Sequence, residues 1–312
     1  MVRIFAGLAV CSFVSLAQAQ LCTQWSKPQE VGLLDTALLK EASGVAASRQ
    51  FPNRLYHHND SGAKGVFYVT DLNAQNIKEI TYTYSQVTDV EDIAVGPCSS
   101  GQCVFLGDIG DNYRTRKSIN LWIVPETQAF SNVSSTAKKI VLRYPDGPHN
   151  AESLAVHPVT GDVYILTKED MSGREKYLPG KLYRLPKAAL SQASATLKYL
   201  GEIDLHWMLQ AKSKYGDIAT GMDISPDGKT LLVLTYENAV EIKFDDMAKE
   251  SFGTYKWDEN IDYRIIQIDG LLSQQEGIGY SADGNSFYFD SEFNAKEGDT
   301  ESPLYKVDCL KR

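Results

Sequence analysis

Five short stretches of this chain share one pattern, and their repetition is the strongest constraint on its fold. In each, a hydroxyl or acidic residue stands just before a run of small and apolar residues that is typical of a buried β-strand. Aligned on the apolar run, the stretches place these residues in one column: Ser43, Glu91, Glu152, Thr220 and Glu276. Asp89 and Asp92 flank Glu91, and we expect their side chains to point away from the column.

Each column residue opens a repeat of about 50 to 70 residues. The apolar run is followed by a turn, a second strand rich in aromatic and β-branched residues, a third strand and, in four repeats, a fourth. Helix signals are weak throughout. This repeat length and strand count are typical of propeller blades. The sequence therefore predicts an all-β, five-bladed β-propeller, with a six-bladed ring as the alternative.

Residues 1–19 have the pattern of a secretory signal, with Arg3 before an apolar segment and Ala17-Gln18-Ala19 as a cleavage site. The apolar segment is short for a membrane span, and no later segment is as long. We expect residues 20–312 to form one propeller domain that is secreted or periplasmic, not membrane-bound, and monomeric. The net charge of -9 argues against a nucleic-acid polymer as partner.

The ends of the chain predict how the ring closes. The fifth repeat stops at Cys309 after its third strand, and residues 22–34 precede the first repeat without a blade of their own. We predict that this N-terminal segment supplies the outer strand of the last blade. Four cysteines follow the signal and allow three pairings, of which we favour Cys98 with Cys103 and Cys22 with Cys309. A cysteine metal site is the other interpretation, but no Cys-x-x-Cys is present.

The column predicts a metal site, because the first strands of propeller blades line the central channel. Three carboxylates in a narrow channel repel one another, and a bound cation removes that conflict. Oxygen ligands without cysteine or histidine favour a hard ion, and the flexible shell of calcium suits them better than the octahedron of magnesium. The predicted calcium ligands are Ser43, Glu91, Glu152, Thr220 and Glu276. The other interpretation is a water-filled channel lined by solvated polar groups.

These features resemble the calcium-activated apyrases, secreted nucleotidases with five blades and a Ser, Glu, Glu, Ser, Glu channel ring. Thr220 stands here in place of the second serine. The motif Asn59-Asp60-Ser61-Gly62 and residues 104–110 also resemble second-strand segments of that family. The resemblance is confined to these short motifs. A looser likeness extends to the esterase-like phytase propellers. The resemblance implies an exported propeller with an axial calcium ion.

Acidic and basic residues at the second-strand ends suggest a reaction. Asp60 or Asp111 would activate water, while Arg114 and Arg116 would bind a phosphoryl group beside the calcium ion. The sequence thus predicts a calcium-dependent hydrolase of a small anionic phosphoester or phosphoanhydride. The alternative is a non-catalytic, calcium-stabilised extracellular matrix or ligand-binding propeller. Lactone or organophosphate hydrolysis is a third hypothesis. No serine-hydrolase elbow, Walker loop or His-Glu-x-x-His motif is present.

Overall fold

The computed structural model describes residues 20–60, 62, 64–134, 137–169, 178–210, 215–244, 257–268, 272, 274–296 and 298–312. The predicted signal, residues 1–19, lies outside them. The all-β prediction is confirmed, since the described helices are only one short α-helix, α1 (Leu205–Leu209), and one 3-10 helix (Lys187–Ser191). The strands are β1 (Gln24–Trp25), β2 (Gln29–Leu33), β3 (Ala42–Ala47), β4 (Leu55–Asn59), β5 (Val66–Thr70), β6 (Lys78–Thr81), β7 (Val90–Cys98), β8 (Gly101–Asp108), β9 (Ile119–Pro125), β10 (Lys138–Arg143), β11 (Ala151–Val156), β12 (Val163–Thr167), β13 (Gly180–Leu185), β14 (Ser194–Thr196), β15 (Lys198–Ile203), β16 (Ala219–Ile224), β17 (Thr230–Thr235), β18 (Asn238–Lys243), β19 (Tyr263–Gln267), β20 (Gln275–Tyr280), β21 (Ser286–Ser291) and β22 (Pro303–Lys311).

These strands form five sheets, one for each repeat. Blade 1 is β3-β4-β5-β6, blade 2 is β7-β8-β9-β10, blade 3 is β11-β12-β13-β15, and blade 4 is β16-β17-β18-β19. Blade 5 is β20-β21-β22, completed by β1 and β2. The five-bladed prediction is therefore confirmed and the six-bladed alternative is wrong.

The N-terminal segment closes the ring as predicted. Trp25 of β1 pairs with Cys309, and Gln29 of β2 pairs with Lys306, so both strands run antiparallel to β22. Disulfides join Cys22 to Cys309 and Cys98 to Cys103, which confirms both favoured pairings. Two disulfides are compatible with an extracytoplasmic, oxidising compartment. Among the described residues, no helix combines the length and apolar character needed to cross a membrane.

One strand lies outside the predicted pattern. The fourth strand of blade 3 begins at Lys198. Residues Ser194–Thr196 instead form β14, which pairs in parallel with β10 of blade 2. Blade 2 would otherwise end on an open edge, and the short β14 covers it. This crossover also ties blade 2 to blade 3.

Apolar side chains fill the five interfaces between neighbouring blades. Each of five buried clusters combines residues from two adjacent blades; Phe105 and Leu154 join blades 2 and 3, for example, and Tyr288 and Leu34 belong to the cluster between blades 5 and 1. Burial of these faces is the main driving force for forming the ring. Because the blades pack face to face, the first strand of every blade lies along the central axis.

Candidate functional site

The column residues share a backbone irregularity. In blade 2, Val90 pairs with Asp108 and Asp92 with Gly107, so Glu91 is an extra residue between two paired positions. The same register shift occurs in the other blades at Ser43, Glu152, Thr220 and the pair Glu276–Gly277. An extra residue of this kind bends the strand and interrupts the alternation of side chains. The five repeats therefore turn equivalent side chains out of their sheets at equivalent places.

All five column residues are buried, and together we call them the ring. The Ser43 hydroxyl donates to Glu276 Oε2 at 3.0 Å and lies 3.3 Å from the Glu91 carbonyl oxygen. The Thr220 hydroxyl donates to the Gln275 carbonyl oxygen at 2.8 Å. The two hydroxyls thus bind neighbouring blades to one another around the axis.

Three carboxylates form a cluster on one side of the ring, which we call the acidic trio. Asp60, Asp89 and Glu91 each place one oxygen so that the three atoms lie within 4.8 Å of one another. The expectation that Asp89 points away is wrong, because residues two apart in an extended chain face the same side. Burial, followed by Glu152 and Asp60, raises the pKa of Glu91 well above its usual value. Burial also raises the pKa of Asp89, although Arg116 opposes the shift.

Gly110 lets a loop approach the acidic trio closely. Its backbone N–H donates to the Asp89 carbonyl oxygen at 3.2 Å. A Cβ atom at Gly110 would lie 1.9 Å from Glu91 Oε1 and 2.4 Å from Asp89 Oδ2. Any other residue would therefore displace the two carboxylates.

The ring is also in contact with a lysine. Lys168 Nζ forms an ion pair with Glu152 Oε2 and donates to the Tyr236 hydroxyl at 2.8 Å. Tyr236 in turn donates to Glu276 Oε1 at 3.2 Å. Burial disfavours the charged form of Lys168, but Glu152 and the other acidic groups outweigh it and hold the Lys168 pKa well above its usual value. The neighbouring acidic groups therefore favour the charged form of Lys168 in the site.

A second column of residues follows the second strands. The first residues after β4, β12, β17 and β21 are Asp60, Lys168, Tyr236 and Glu292. Glu292 belongs to the same environment, since burial, Glu41 and Glu152 raise its pKa to about 7. Sequence reasoning placed Asp60 in the site but overlooked Tyr236. Comparing the residue that follows each aromatic-rich strand would have found it.

The predicted catalytic residues after β8 form a tight loop beside the acidic trio. Asp111 Oδ2 accepts the backbone N–H of Arg116 at 2.7 Å. The Arg116 guanidinium donates to Asp108 Oδ1 at 2.7 Å and to the Gly110 carbonyl oxygen at 2.6 Å. Arg114 lies in the turn with a positive φ of 53°. Asp111 and the Arg116 guanidinium therefore hold the shape of this loop.

Below the ring, the axis is filled by Asp92. The expectation that Asp92 points away is wrong, because the bulge at Glu91 changes its direction. Asp92 Oδ2 accepts the backbone N–H of Leu154 at 2.7 Å and that of Met222 at 3.4 Å. The carboxylate thus accepts hydrogen bonds from backbone N–H groups of blades 3 and 4 that face the channel.

Arg49 fills the axis at the end opposite the ring. Its guanidinium donates to the carbonyl oxygens of Ile224 at 2.8 Å and Val95 at 3.3 Å, and lies 3.5 Å from Asp223 Oδ1. Asp223 Oδ2 accepts the Tyr280 N–H at 2.9 Å. These contacts connect all the blades except the third.

No protein-family model matches this chain, and no curated protein matches it. Solved structures with a similar course of the chain include an auxiliary nutrient binding protein from Bacteroides thetaiotaomicron, with 13% identity over 91% of this chain and 72% of that one, at a TM-score of 0.46. A nidogen/laminin complex gives 11% identity over 88% and 87%, at 0.47. U3-55K gives 10% over 86% and 67%, at 0.44. At these scores the likenesses add no argument about function.

Proposed function

We propose that this protein is an exported, calcium-dependent hydrolase of a phosphoester or phosphoanhydride, with its site at the ring end of the axis. The acidic trio is the observation that supports this best, because three carboxylate oxygens lie within 4.8 Å of one another, with Asp60 and Asp89 half-buried and Glu91 buried. Such an arrangement is costly without a cation, since burial and mutual repulsion both oppose ionisation.

The residues present fit a calcium ion that lies off the centre of the ring. Asp60, Asp89 and Glu91 offer only oxygen atoms, which calcium prefers. Glu152 already binds Lys168, so we do not count it as a ligand. When bound, a calcium ion would polarise a phosphoryl oxygen and offset developing negative charge.

The chain's own side chains would bind and orient the substrate. The Lys168 ammonium and the Arg114 side chain are the proposed contacts to the anionic group. Arg116 supports Arg114 by fixing the loop through Asp108 rather than by direct contact. With Asp60 on the cation, Asp111 is the proposed acceptor of a proton from the attacking water.

Phosphate release from ATP, ADP and phytate, measured with calcium and with EGTA, tests this proposal. We expect calcium-dependent release from at least one of them. Glu91→Gln should abolish that release and weaken calcium binding by more than about tenfold, since one ligand charge is lost. Glu202→Gln, on the outer strand β15, is the matched control and should behave as the wild type.

The second candidate is a non-catalytic, calcium-stabilised binding propeller. This candidate is favoured by hydrogen bonds that join neighbouring blades, between Ser43 and Glu276 and between Thr220 and Gln275. Such contacts stabilise the fold and need no substrate. No release from any of the three substrates, together with a melting temperature that EGTA lowers, would support this candidate and refute the hydrolase. If EGTA leaves the melting temperature unchanged and calorimetry detects no heat of calcium binding, both candidates are refuted.

A further inference from the structure

A buried hydrogen-bond chain crosses the interface between blades 5 and 1. His57 of β4 lies in its middle, with Nδ1 3.1 Å from Asp290 Oδ2 of β21 and Nε2 3.1 Å from Thr70 Oγ1 of β5. His57 and Asp290 are both fully buried, and neither belongs to the ring or to the acidic trio. We propose that this chain binds one additional proton when the protein folds, which makes the interface between blades 5 and 1 sensitive to pH.

The hydrogen bonds of Thr70 determine where one hydrogen of His57 lies. The Thr70 hydroxyl has a single hydrogen, which it donates to the Asp71 carbonyl oxygen at 2.9 Å. Thr70 Oγ1 therefore accepts from His57, and His57 Nε2 carries a hydrogen. A neutral imidazole carries only one, so a neutral ring would leave an unprotonated Nδ1 facing the Asp290 carboxylate. Two acceptors 3.1 Å apart need one additional proton between them.

The surroundings of Asp290 lead to the same proton count. Its Oδ1 atom is buried and has no hydrogen-bond partner among the described residues. This oxygen packs against Gly277, where a Cβ atom would lie 2.0 Å from it. A fully buried carboxylate with a neutral imidazole as its donor is costly. The additional proton removes that cost, either in an imidazolium–carboxylate pair or in a carboxyl group that donates to His57 Nδ1.

Three further titratable side chains lie around His57. His58 is its neighbour on β4, and burial lowers the pKa of His58 to about 4. Tyr68 pairs with His57 across β4 and β5, and burial raises the pKa of Tyr68 to about 12. Tyr288 stands two residues before Asp290 on β21, and burial raises its pKa as well. All three are therefore uncharged near neutral pH.

The charged groups of the surrounding strands have partners of their own. Of the strands β3 and β20, which also pack at this interface, the charged residue is Glu276, which accepts the Ser43 hydroxyl. Glu79 of β6 accepts the Tyr68 hydroxyl at 3.4 Å. Lys306 of β22 pairs with Asp308 at 2.7 Å. The additional proton is therefore assigned to the pair of His57 and Asp290.

Urea unfolding between pH 6.5 and 9 tests the proposal, with EGTA present so that calcium plays no part. A free imidazole loses its proton near pH 6.5, so above about this value the folded protein would hold one proton more than the unfolded chain. The stability supplied by that proton is complete below this value and is lost as the pH rises. We expect the equilibrium constant for folding of the wild type to fall by up to about tenfold for each pH unit.

Asp290→Asn gives the matched comparison, because its amide can donate to His57 Nδ1 without an additional proton. Groups elsewhere titrate equally in both proteins, so the ratio of their folding constants isolates the pair. The wild type should lose stability relative to this variant as the pH rises. Asp258→Asn makes the same chemical change at an exposed position before β19 and should retain the pH dependence of the wild type. A ratio of wild type to Asp290→Asn that stays constant from pH 6.5 to 9 overturns the proposal.

Nitrogen NMR of the histidine-labelled wild type gives a second readout that does not require Asp290→Asn to fold. The His57 ring is identified by its nuclear Overhauser contact with Thr70. At pH 8 its Nε2 should carry a hydrogen, whether the additional proton lies on His57 or on Asp290. A His57 ring protonated on Nδ1 alone would show that Thr70 donates to the ring and that no additional proton is held, which overturns the proposal.

Discussion

Removal of the Cys22–Cys309 disulfide should destabilise the protein more than removal of Cys98–Cys103. The first bond links residues 287 positions apart, and the chain-entropy relation gives about 6 kcal/mol at 25 °C for a loop of that length. The second spans 5 positions, for which the same relation gives about 2 kcal/mol. The difference arises because a longer loop restricts the unfolded chain more.

The folded ring should survive the loss of this bond. Strands β1 and β2 still pair with β22, and the Cys22 backbone N–H still donates to Glu241 Oε2 at 2.7 Å. C22S/C309S should therefore lower the free energy of unfolding mainly because the unfolded chain gains conformational freedom. Calcium binding at 25 °C should be retained. Measured disulfide contributions commonly amount to about 2–5 kcal/mol, so the expected loss lies toward the upper end of that range.

Urea unfolding followed by tryptophan fluorescence measures both losses. We expect the free energy of unfolding to fall in the order wild type, C98S/C103S, C22S/C309S. The fluorescence of the native state should depend on urea in nearly the same way in all three proteins. A C98S/C103S variant that loses as much stability as C22S/C309S would refute the loop-length reasoning. A C22S/C309S variant that loses the calcium binding proposed for the wild type would show that the bond shapes the folded ring.

Two further substitutions test the axis. Gly110→Ala should abolish the calcium-dependent rise in melting temperature while the protein stays folded, because the added Cβ would lie 1.9 Å from Glu91 Oε1; an unchanged calcium response would contradict the proposed place of the ion. Arg49→Met should lower the free energy of unfolding by about 3–5 kcal/mol, since it leaves the largely buried Asp223 carboxylate without its charge partner. Adding Asp223→Asn should recover part of that loss in urea unfolding, and a double variant no more stable than Arg49→Met would contradict this account.

Local patterns in the sequence were enough to predict the ring architecture. The apolar runs, the strands rich in aromatic and β-branched residues and the turn signals recur with each blade, so five blades and their strand order could be inferred from short windows of the chain. The unpaired N-terminal segment and the missing fourth strand of the fifth repeat together predicted the closure that β1 and β2 make with β22. Cysteine positions at the two ends then predicted the disulfide that joins Cys22 to Cys309.

The details of the site depend on contacts between residues far apart in the chain. The pairing of Ser194–Thr196 with blade 2 instead of blade 3 is one such contact, because an edge strand accepts any chain that reaches it. Tyr236 is another, since its hydroxyl connects Lys168 of blade 3 to Glu276 of blade 5. The sequence around Ser194–Thr196 and around Tyr236 does not indicate which distant residues they contact.

The sequence by itself determined that Ser43, Glu91, Glu152, Thr220 and Glu276 occupy equivalent places in five blades. Only the tertiary structure decided which contacts their side chains make around the central axis. A bulge is a relation between two strands, so the one at Glu91, which turns Asp92 across the channel, cannot be inferred from β7 alone. The ion pair of Glu152 with Lys168 likewise depends on where the end of β12 lies relative to the axis. Repetition therefore predicted the ring, and the packing of blades determined which partner each of its carboxylates meets.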